Sequence, residues 1–257
     1  MCDGRFQGKV VVVTGGGSGI GAAASYRFGA EGATVVLAGR TQAKLDAVLA
    51  EAPRGAKLIG RLVDVSDEWG ITKLIEEVAH EHGRLDTLVN NAAVLCPGTV
   101  EQVGTDAWRH TMSTNVDGVF FASRAALPHL RAVGGSIVNV GSTSGLGADW
   151  GIAAYDTSKA AVVNLTNAMA LDHGGEGVRV NAVHPGFTAT AMTAPVLEHE
   201  VALAAFRNRM PLARPGEPAE IAAVIAFLAS DDARFVNGAH LRVDGGIGSA
   251  NGNPHVV

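Results

Sequence analysis

An unbroken aliphatic run at residues 10–13 leads straight into Thr14-Gly15-Gly16-Gly17-Ser18-Gly19-Ile20-Gly21, and a helix-forming stretch beginning AAASYRF follows. Strand, glycine turn and helix in that order build a phosphate-binding corner. Glycines let the backbone turn sharply and come close to a pyrophosphate. The first turn of the helix then offers unpaired N–H groups and the positive end of its dipole. A glycine pattern alone is weak, and a tight turn without a ligand is the plain alternative. What makes this one specific is its place as the first strand–turn–helix of a long alternating series.

The series predicts strands at 9–14, 34–38, 57–62, 87–90, 135–140, 178–183 and 240–243, and helices at 19–31, 42–51, 68–82, 105–132, 154–173 and 218–229. Strands such as VVVV and TLVN are apolar throughout, which suits a sheet covered on both faces. Strand and helix alternate, so the expected fold class is α/β: a doubly wound Rossmann-type parallel sheet with helices on both faces and right-handed crossovers. With 47% hydrophobic and 18% charged residues in 257, the composition suits a single dinucleotide-binding and catalytic domain over 1–257 and argues against disorder. The stretch 189–215 breaks the rhythm with prolines at 195, 211 and 215. Ligands of such sheets sit beyond the carboxyl ends of the strands, so a substrate lid at about 187–215 is expected, with a packing or oligomer-contact segment as the alternative.

Composition also removes function classes. A net charge of −5 without a basic run argues against nucleic acid and against a membrane surface as partner. No apolar stretch approaches the ~18 residues of a membrane span. Cys2 and Cys96 make neither a disulfide framework nor a metal-ligand spacing, and the nine histidines are scattered. No metal site is expected. The N-terminus lacks a signal-peptide pattern, which predicts a cytoplasmic protein.

The end of the second strand bears on the cofactor. An acidic residue there would bind a ribose 2′-hydroxyl and point to NAD. This chain reads Ala38-Gly39-Arg40-Thr41, and its next acidic residue is Asp46. With no carboxylate expected to repel a 2′-phosphate, Arg40 pairs with one through its planar fork, making NADP the preferred cofactor. The alternative is that Arg40 only stacks on adenine or caps local structure, with NAD possible.

The region 135–159 carries the chemistry. A strand ends at Ser142, and the following helix bears Tyr155 and Lys159, which at i and i+4 share one helix face. Moving a hydride to a ketone leaves an alkoxide that needs a proton, and the reverse reaction needs a base. A tyrosine with its ordinary pKa of about 10 is a poor base near neutrality unless a nearby ammonium favours the phenolate. Ser142 can donate a hydrogen bond to the substrate oxygen, where charge develops. A surface lysine next to a partly buried tyrosine is the plain alternative. The composition narrows it: Tyr26 is the chain's other tyrosine, and Lys159 is its only lysine after Lys73.

Taken together these motifs resemble the short-chain dehydrogenase/reductase family from about residue 8 to residue 246. TGGGSGIG at 14–21 matches the family's TGxxxGxG loop, and Ser142, Tyr155 and Lys159 match its serine and YxxxK pattern. The resemblance implies cofactor contacts from Gly15, Ser18, Gly19, Ile20 and Gly21, and from Tyr155 and Lys159 themselves. It implies that Asn115, in STNVDG, completes a catalytic tetrad by holding a water that links the lysine to a proton path. Asn90-Asn91-Ala92-Ala93 resembles NNAG, so Asn91 and Ala92 would line the adenine and ribose side, with Ala93 in place of the last glycine. Asp64, followed by Val65, matches the position that holds the adenine ring. Pro185 and Gly186, with Thr188 and Thr190, match the segment that contacts the nicotinamide carboxamide. Ordinary roles stand beside these: a backbone-satisfied helix residue for Asn115, a turn cap for Asp64, helix caps for Thr188 and Thr190.

The substrate pocket is expected from 93–97, 143–152 and 187–212, with Val94, Leu146, Trp150 and Met192 as walls; a buried or contact-forming role is the alternative for Trp150. Few charges fall in these stretches, which predicts a neutral alcohol or ketone. The sequence is similar to the family's diol/acetoin and broad-range ketone reductases. The resemblance therefore implies an NAD(P)-dependent interconversion of a secondary alcohol and a ketone, in a homotetramer. The alternatives are a 3-oxoacyl-carrier-protein reductase, with Arg207, Arg209 and Arg214 as the basic patch, and a catalytically silent nucleotide sensor. The tail at 247–257 either reaches a neighbouring subunit's site or frays.

Overall fold

The protein is seen here in a computed structural model that describes residues 4–249. All seven expected strands form: β1 (Val10–Thr14), β2 (Thr34–Gly39), β3 (Lys57–Leu62), β4 (Thr87–Asn90), β5 (Ser136–Val140), β6 (Arg179–Pro185) and β7 (His240–Val243). They make one sheet in the order β3-β2-β1-β4-β5-β6-β7, every neighbouring pair parallel. The order reverses between β1 and β4, and at such a switch point the loops leave to opposite sides and open a crevice.

The helices are α1 (Gly19–Ala30), α2 (Gln42–Ala50), α3 (Glu68–His82), α4 (Thr105–Met112), α5 (Gly118–Val133), α6 (Ala153–Gly174), α7 (Ala194–Leu197), α8 (Glu200–Arg209) and α9 (Pro218–Ala229). The valine run shows why the sheet needs cover on both sides. Val11 and Val13 pack with Phe28, Ile221 and Ile225 on the face of α1 and α9. Val10 and Val12 pack with Ile71, Ile75 and Leu130 on the face of α3 and α5. Successive strand residues point to opposite faces, and each fully buried valine stabilises the fold by about 1.5–3 kcal/mol. An alternating polar pattern would have lost half of that.

The single helix expected over 105–132 is not regular. Between α4 and α5 the chain makes a π turn at Ser113–Asp117, with Asn115 at its centre. Such a turn closes i→i+5 bonds and takes in an extra residue, which redirects a side chain without ending the helix.

After β6 the chain runs through α7 and α8 and returns beside its starting point. Ala189 N–H donates to the Gly216 carbonyl at 2.8 Å and Gly216 N–H to the Phe187 carbonyl at 2.9 Å, forming a neck. Above it, Phe187 and Phe206 stack at 4.4 Å, while α7 and α8 bury no residue. Thin packing of this kind goes with low local stability. A short 3-10 turn at Ile247–Ser249 follows β7; the rest of the expected tail lies outside the described residues. No helix among the described residues is long and apolar enough to cross a membrane.

Candidate active site

The crevice is floored by the glycine loop. Gly15 has φ 65, a left-handed conformation that favours glycine. A Cβ on Gly21 would stand 2.3 Å from the Gly15 carbonyl oxygen, and one on Gly15 would stand 2.8 Å from Ala92 Cα. The loop is thus pressed onto the end of β4 with no room for side chains. Thr14 and Asn91 lock it there. Thr14 Oγ1 accepts the N–H groups of Asn91 and Ala92 at 3.0 and 3.1 Å, and Asn91 Nδ2 donates to the carbonyls of Thr14 and Gly15 at 3.0 and 3.1 Å. The Asn91 amide therefore holds the loop from within, a different use from lining the ribose side. Ile20 likewise turns partly into the core. Ser18, extended at the start of α1, makes no capping bond with its side chain.

The cleft above the loop has a volume of about 160 Å³ and is lined by Gly17, Ser18, Arg40, Lys44, Ala92 and Thr114, with Val65 packed behind. A larger hollow of about 740 Å³ opens at the opposite, amino ends of the strands. It is far from the motif residues, and Lys9 and Arg84 on its wall are paired with Asp231 and Asp86. The smaller cleft is the candidate site on position and chemistry. It fits a dinucleotide phosphate: the cradle has no room for a Cβ at Gly15 or Gly21, and the buried Thr114 Oγ1 has no hydrogen-bond partner among the described residues. A buried hydroxyl left alone costs roughly 1–3 kcal/mol unless a ligand or water satisfies it.

One expectation about the cofactor end is corrected. A carboxylate does stand beside Arg40: Asp64, brought across by the pairing of β2 with β3, lies 3.4 Å away. Burial pushes the Asp64 carboxyl up, but the Ser66 N–H and hydroxyl and the Arg40 guanidinium together hold it below the usual range. Asp64 Oδ1 accepts both Ser66 groups at 2.9 and 2.7 Å, which is the turn-capping role. The ion pair is long and about half exposed, so it is weak. Lys44 on α2, not singled out from the sequence, is a second cation on this wall.

The catalytic candidates converge at the carboxyl end of β5. Tyr155 and Lys159 are both buried on α6, with Lys159 Nζ 5.7 Å from the centre of the phenol ring. Lys159 donates to the Val140 carbonyl at 2.7 Å. Burial without a counter-charge holds its ammonium down to about 8. Burial pushes the Tyr155 phenol up to about 12; a hydrogen bond with Ser142 works the other way, and the negative charges of Asp149 and Asp156 add to the rise. The expected lowering of the phenol by Lys159 is absent from this arrangement, where the ammonium is turned to a backbone carbonyl. Ser142 Oγ donates to Ser144 Oγ at 3.0 Å and accepts the Ser144 N–H at 3.1 Å, while the Ser144 hydroxyl donates to Asp149. Neither Ser144 nor Asp149 was marked from the sequence, where serines and acidic residues in a loop carry no distinguishing signal. Asn115 is buried, its amide bonded to Val94 N–H and carbonyl at 2.8 and 2.9 Å and to Ser158 Oγ at 2.9 Å. Its side chain thus ties the loop after β4 to the helix of Tyr155.

The segment after β6 closes the far side. Gly186 N–H donates to the Val243 carbonyl at 3.1 Å, Thr188 is buried, and Thr190 lies against Gly19 of the loop. Of the four residues that the resemblance points to here, Thr190 is the one placed against the glycine loop. Thr188 and Thr193 also serve the turn itself, donating to the carbonyls of Gly186 and Thr188. Of the pocket walls, Val94 and Leu146 are partly buried near the site, and Met192 is 43% exposed. Trp150 is corrected: its side chain is fully exposed and walls nothing within the chain, because Gly147–Gly151 turns it outward ahead of α6. The basic patch a carrier protein would need is reduced, since Arg214 is bound by Glu220 at 2.7 and 2.8 Å.

Comparison with known proteins agrees with this geometry. The family model described as enoyl-(acyl carrier protein) reductase matches residues 15–248. The chain is 50% identical over 253 residues to meso-2,3-butanediol dehydrogenase of Serratia marcescens, covering 98% of this chain and 100% of that one. It is 40% identical to NADP-dependent (R)-specific alcohol dehydrogenase of Lentilactobacillus kefiri, covering 94% and 97%. Among solved structures, levodione reductase superposes with a TM-score of 0.92 at 34% identity, covering 96% of this chain and 100% of that one.

Proposed function

We infer that this chain, which belongs to the short-chain dehydrogenase/reductase family, moves the proton of its reaction through Tyr155 and takes NADP in preference to NAD. It is an oxidoreductase that interconverts a secondary alcohol and a ketone with a nicotinamide cofactor. The observation that carries the site assignment is the burial of Tyr155 and Lys159 on one face of α6, against the strand end that bears Ser142.

A nicotinamide bound in the cleft supplies or accepts the hydride. The protein handles the proton. In ketone reduction the Tyr155 hydroxyl, fully protonated below its pKa of about 12, donates to the oxygen that becomes an alkoxide. In alcohol oxidation the phenolate takes the hydroxyl proton, and the Lys159 ammonium would favour that phenolate once it turns from the Val140 carbonyl to the phenol oxygen. Ser142 donates a hydrogen bond to the substrate oxygen, exchanging its neutral bond to Ser144 for a charge-assisted one, roughly twice as strong. Gly15, Ser18, Gly19 and Gly21 would hold the pyrophosphate against the start of α1, with Asp64, Val65 and Ala92 toward the adenine and Pro185, Gly186, Thr188 and Thr190 toward the nicotinamide.

Arg40 and Lys44 support the NADP reading. A 2′-phosphate carries more charge than the single Asp64 carboxylate and offers three acceptor oxygens, so it displaces that weak pair. In Arg40→Asp the ratio of kcat/KM for NADPH over NADH should fall roughly 10- to 100-fold, the worth of one or two charge-assisted hydrogen bonds. A ratio that stays put removes Arg40 from the cofactor choice.

For the substrate, the Asp149 carboxylate near Tyr155 repels anions, and the expected walls Val94, Leu146 and Met192 are apolar. We assign a small neutral ketone or vicinal diol, in keeping with the relative named meso-2,3-butanediol dehydrogenase. A single domain with 187–215 as its substrate cover, a cytoplasmic location and a homotetramer complete the reading. Exposed Trp108, Phe120, Leu171 and Phe227 on α4, α5, α6 and α9 offer apolar surface for subunit contacts. Reduction of diacetyl, acetoin and a panel of simple ketones with NADPH and NADH in parallel is the direct test. Fastest turnover of a diketone or hydroxyketone with NADPH is the expected result. Faster turnover with NADH overturns the cofactor assignment, and no turnover of any member with either cofactor overturns the substrate class.

A further inference from the structure

The strand end that carries Ser142 is gripped by its carbonyls. Lys159 donates to that of Val140 at 2.7 Å, and His184 Nδ1 lies 3.1 Å from that of Ser142. A carbonyl only accepts, so His184 Nδ1 carries the proton. In the neutral ring Nε2 is then an acceptor, and it lies 2.9 Å from His240 Nδ1, which must donate. His240 Nε2 in turn lies 2.8 Å from the atom placed as Asn167 Oδ1. In a neutral His240 this nitrogen accepts, and the Asn167 amide presents its NH2 group by a half-turn of its two interchangeable ends. The bonds thus run in one direction, from Asn167 on α6 through His240 on β7 and His184 on β6 to the Ser142 carbonyl.

The chain is built into the fold. His184 and His240 stand diagonally across the β6–β7 ladder, where His184 pairs with Arg242 and Ala182 with His240. His184 is fully buried. Burial holds its imidazole down to about 4, against the opposing bond to the Ser142 carbonyl, and the positive charges of His240, Lys159 and Arg242 add to the lowering. Burial also lowers His240. Both rings are therefore neutral at pH 7, as the one-way chain requires. Gly141 makes the approach possible, since a Cβ there would stand 2.4 Å from His184 Nδ1.

We propose that His184, oriented by His240 and Asn167, is a positioning residue that sets the reach of the Ser142 hydroxyl by holding the Ser142 carbonyl. The role rests on the reading of Ser142 as the donor to the substrate oxygen. A reacting or stabilising group moved by about 1 Å can lose on the order of 10²-fold in rate. The Ser142 carbonyl has two donors, the Gly145 N–H of its own turn at 3.0 Å and His184 Nδ1 at 3.1 Å, and the second ties it to β6.

Two conservative variants separate positioning from mere packing. His184→Asn keeps an amide N–H near the place of Nδ1, whereas His184→Gln places its amide oxygen near Nε2, still accepting from His240 but removing the tie of the Ser142 carbonyl to β6 and leaving it only the Gly145 N–H. In the holoenzyme, His184→Asn should keep most of kcat. His184→Gln should lose roughly 10- to 100-fold in kcat at an unchanged cofactor Kd, with a Tm like that of the Asn variant. Equal kcat in the two variants, or losses that follow Tm, overturn the proposal. Should His184→Gln not fold, Asn167→Leu decides: a lower kcat at unchanged cofactor Kd supports the chain, and an unchanged kcat overturns it. Ser142→Ala is measured alongside. Full activity there removes Ser142 from the chemistry, whereas its loss together with a fully active His184→Gln removes the role of His184 alone.

Discussion

Tyr155→Phe lowers kcat about 10³-fold in both directions, within the range by which a positioned acid or base accelerates a reaction, and leaves cofactor binding nearly unchanged. Both halves of that result follow from the site. Reduction and oxidation use the same phenolic oxygen, so removing it costs the same proton transfer either way. The ring that remains has the same shape and stays buried against α6, so the cleft is not reshaped. The Ser142 hydroxyl keeps its bond to Ser144 and is not left unsatisfied. Steady-state rates with cofactor titrated by fluorescence check it. A variant retaining more than about a tenth of wild-type kcat assigns the proton to another group, because that loss is smaller than general acid–base catalysis contributes.

Lys159→Met has a kinetic and a thermodynamic signature that point in opposite directions. The alcohol-oxidation profile of kcat/KM moves to higher pH, since the phenolate loses the ammonium that favours it, and activity at pH 7 falls about 10²-fold. Stability responds otherwise. The Lys159 ammonium is held down to about 8 by burial in the folded chain, against 10.5 for the free side chain. The unfolded chain therefore binds this proton more tightly, and the linkage relation makes wild-type stability rise with pH where the unfolded state holds more protons. The rise begins near pH 8 and continues to about pH 10, above which the Tyr155 phenol, raised to about 12, acts in the opposite sense. Across its full range the lysine contribution is about 3 kcal/mol. Lys159→Met lacks this rise, so the two unfolding curves, measured in urea from pH 7 to 10, converge as pH increases. Parallel curves over that range dispose of the buried ammonium as a stored cost. The result would show why such a lysine persists: it weakens the fold at neutral pH and is kept for the charge it brings to the phenol.

Much of the architecture could be read in advance because it depends on local order. Alternation of apolar strands with helices needs no knowledge of partners, and the seven strands formed where the pattern placed them. The glycine loop was legible for the same reason: a Cβ at Gly15 or Gly21 is excluded by atoms of the loop itself and of the adjoining strand end. Tyr155 and Lys159 share a helix face by spacing alone.

Partnerships between distant segments were beyond reach. The π turn at Asn115 has no signature, since it changes only which backbone groups pair within a helix that the residues favour anyway. Arg40 looked free of carboxylates along the chain, yet β3 lies beside β2 and delivers Asp64 to it. Asn91 stood in a cofactor motif, but the close approach of β1 to β4 turns its amide to the loop carbonyls. Trp150, read as a wall, points to solvent. His184 and His240 are 56 residues apart and became a bonded pair only through the parallel register of β6 and β7. Local periodicity and glycine chemistry thus settled the class of this chain and marked the loop and the helix face that make up its candidate site. Which charge each ion meets, and which carbonyl each donor holds, was settled by strand order, because hydrogen bonds and ion pairs act over a few ångströms of space whatever their separation along the chain.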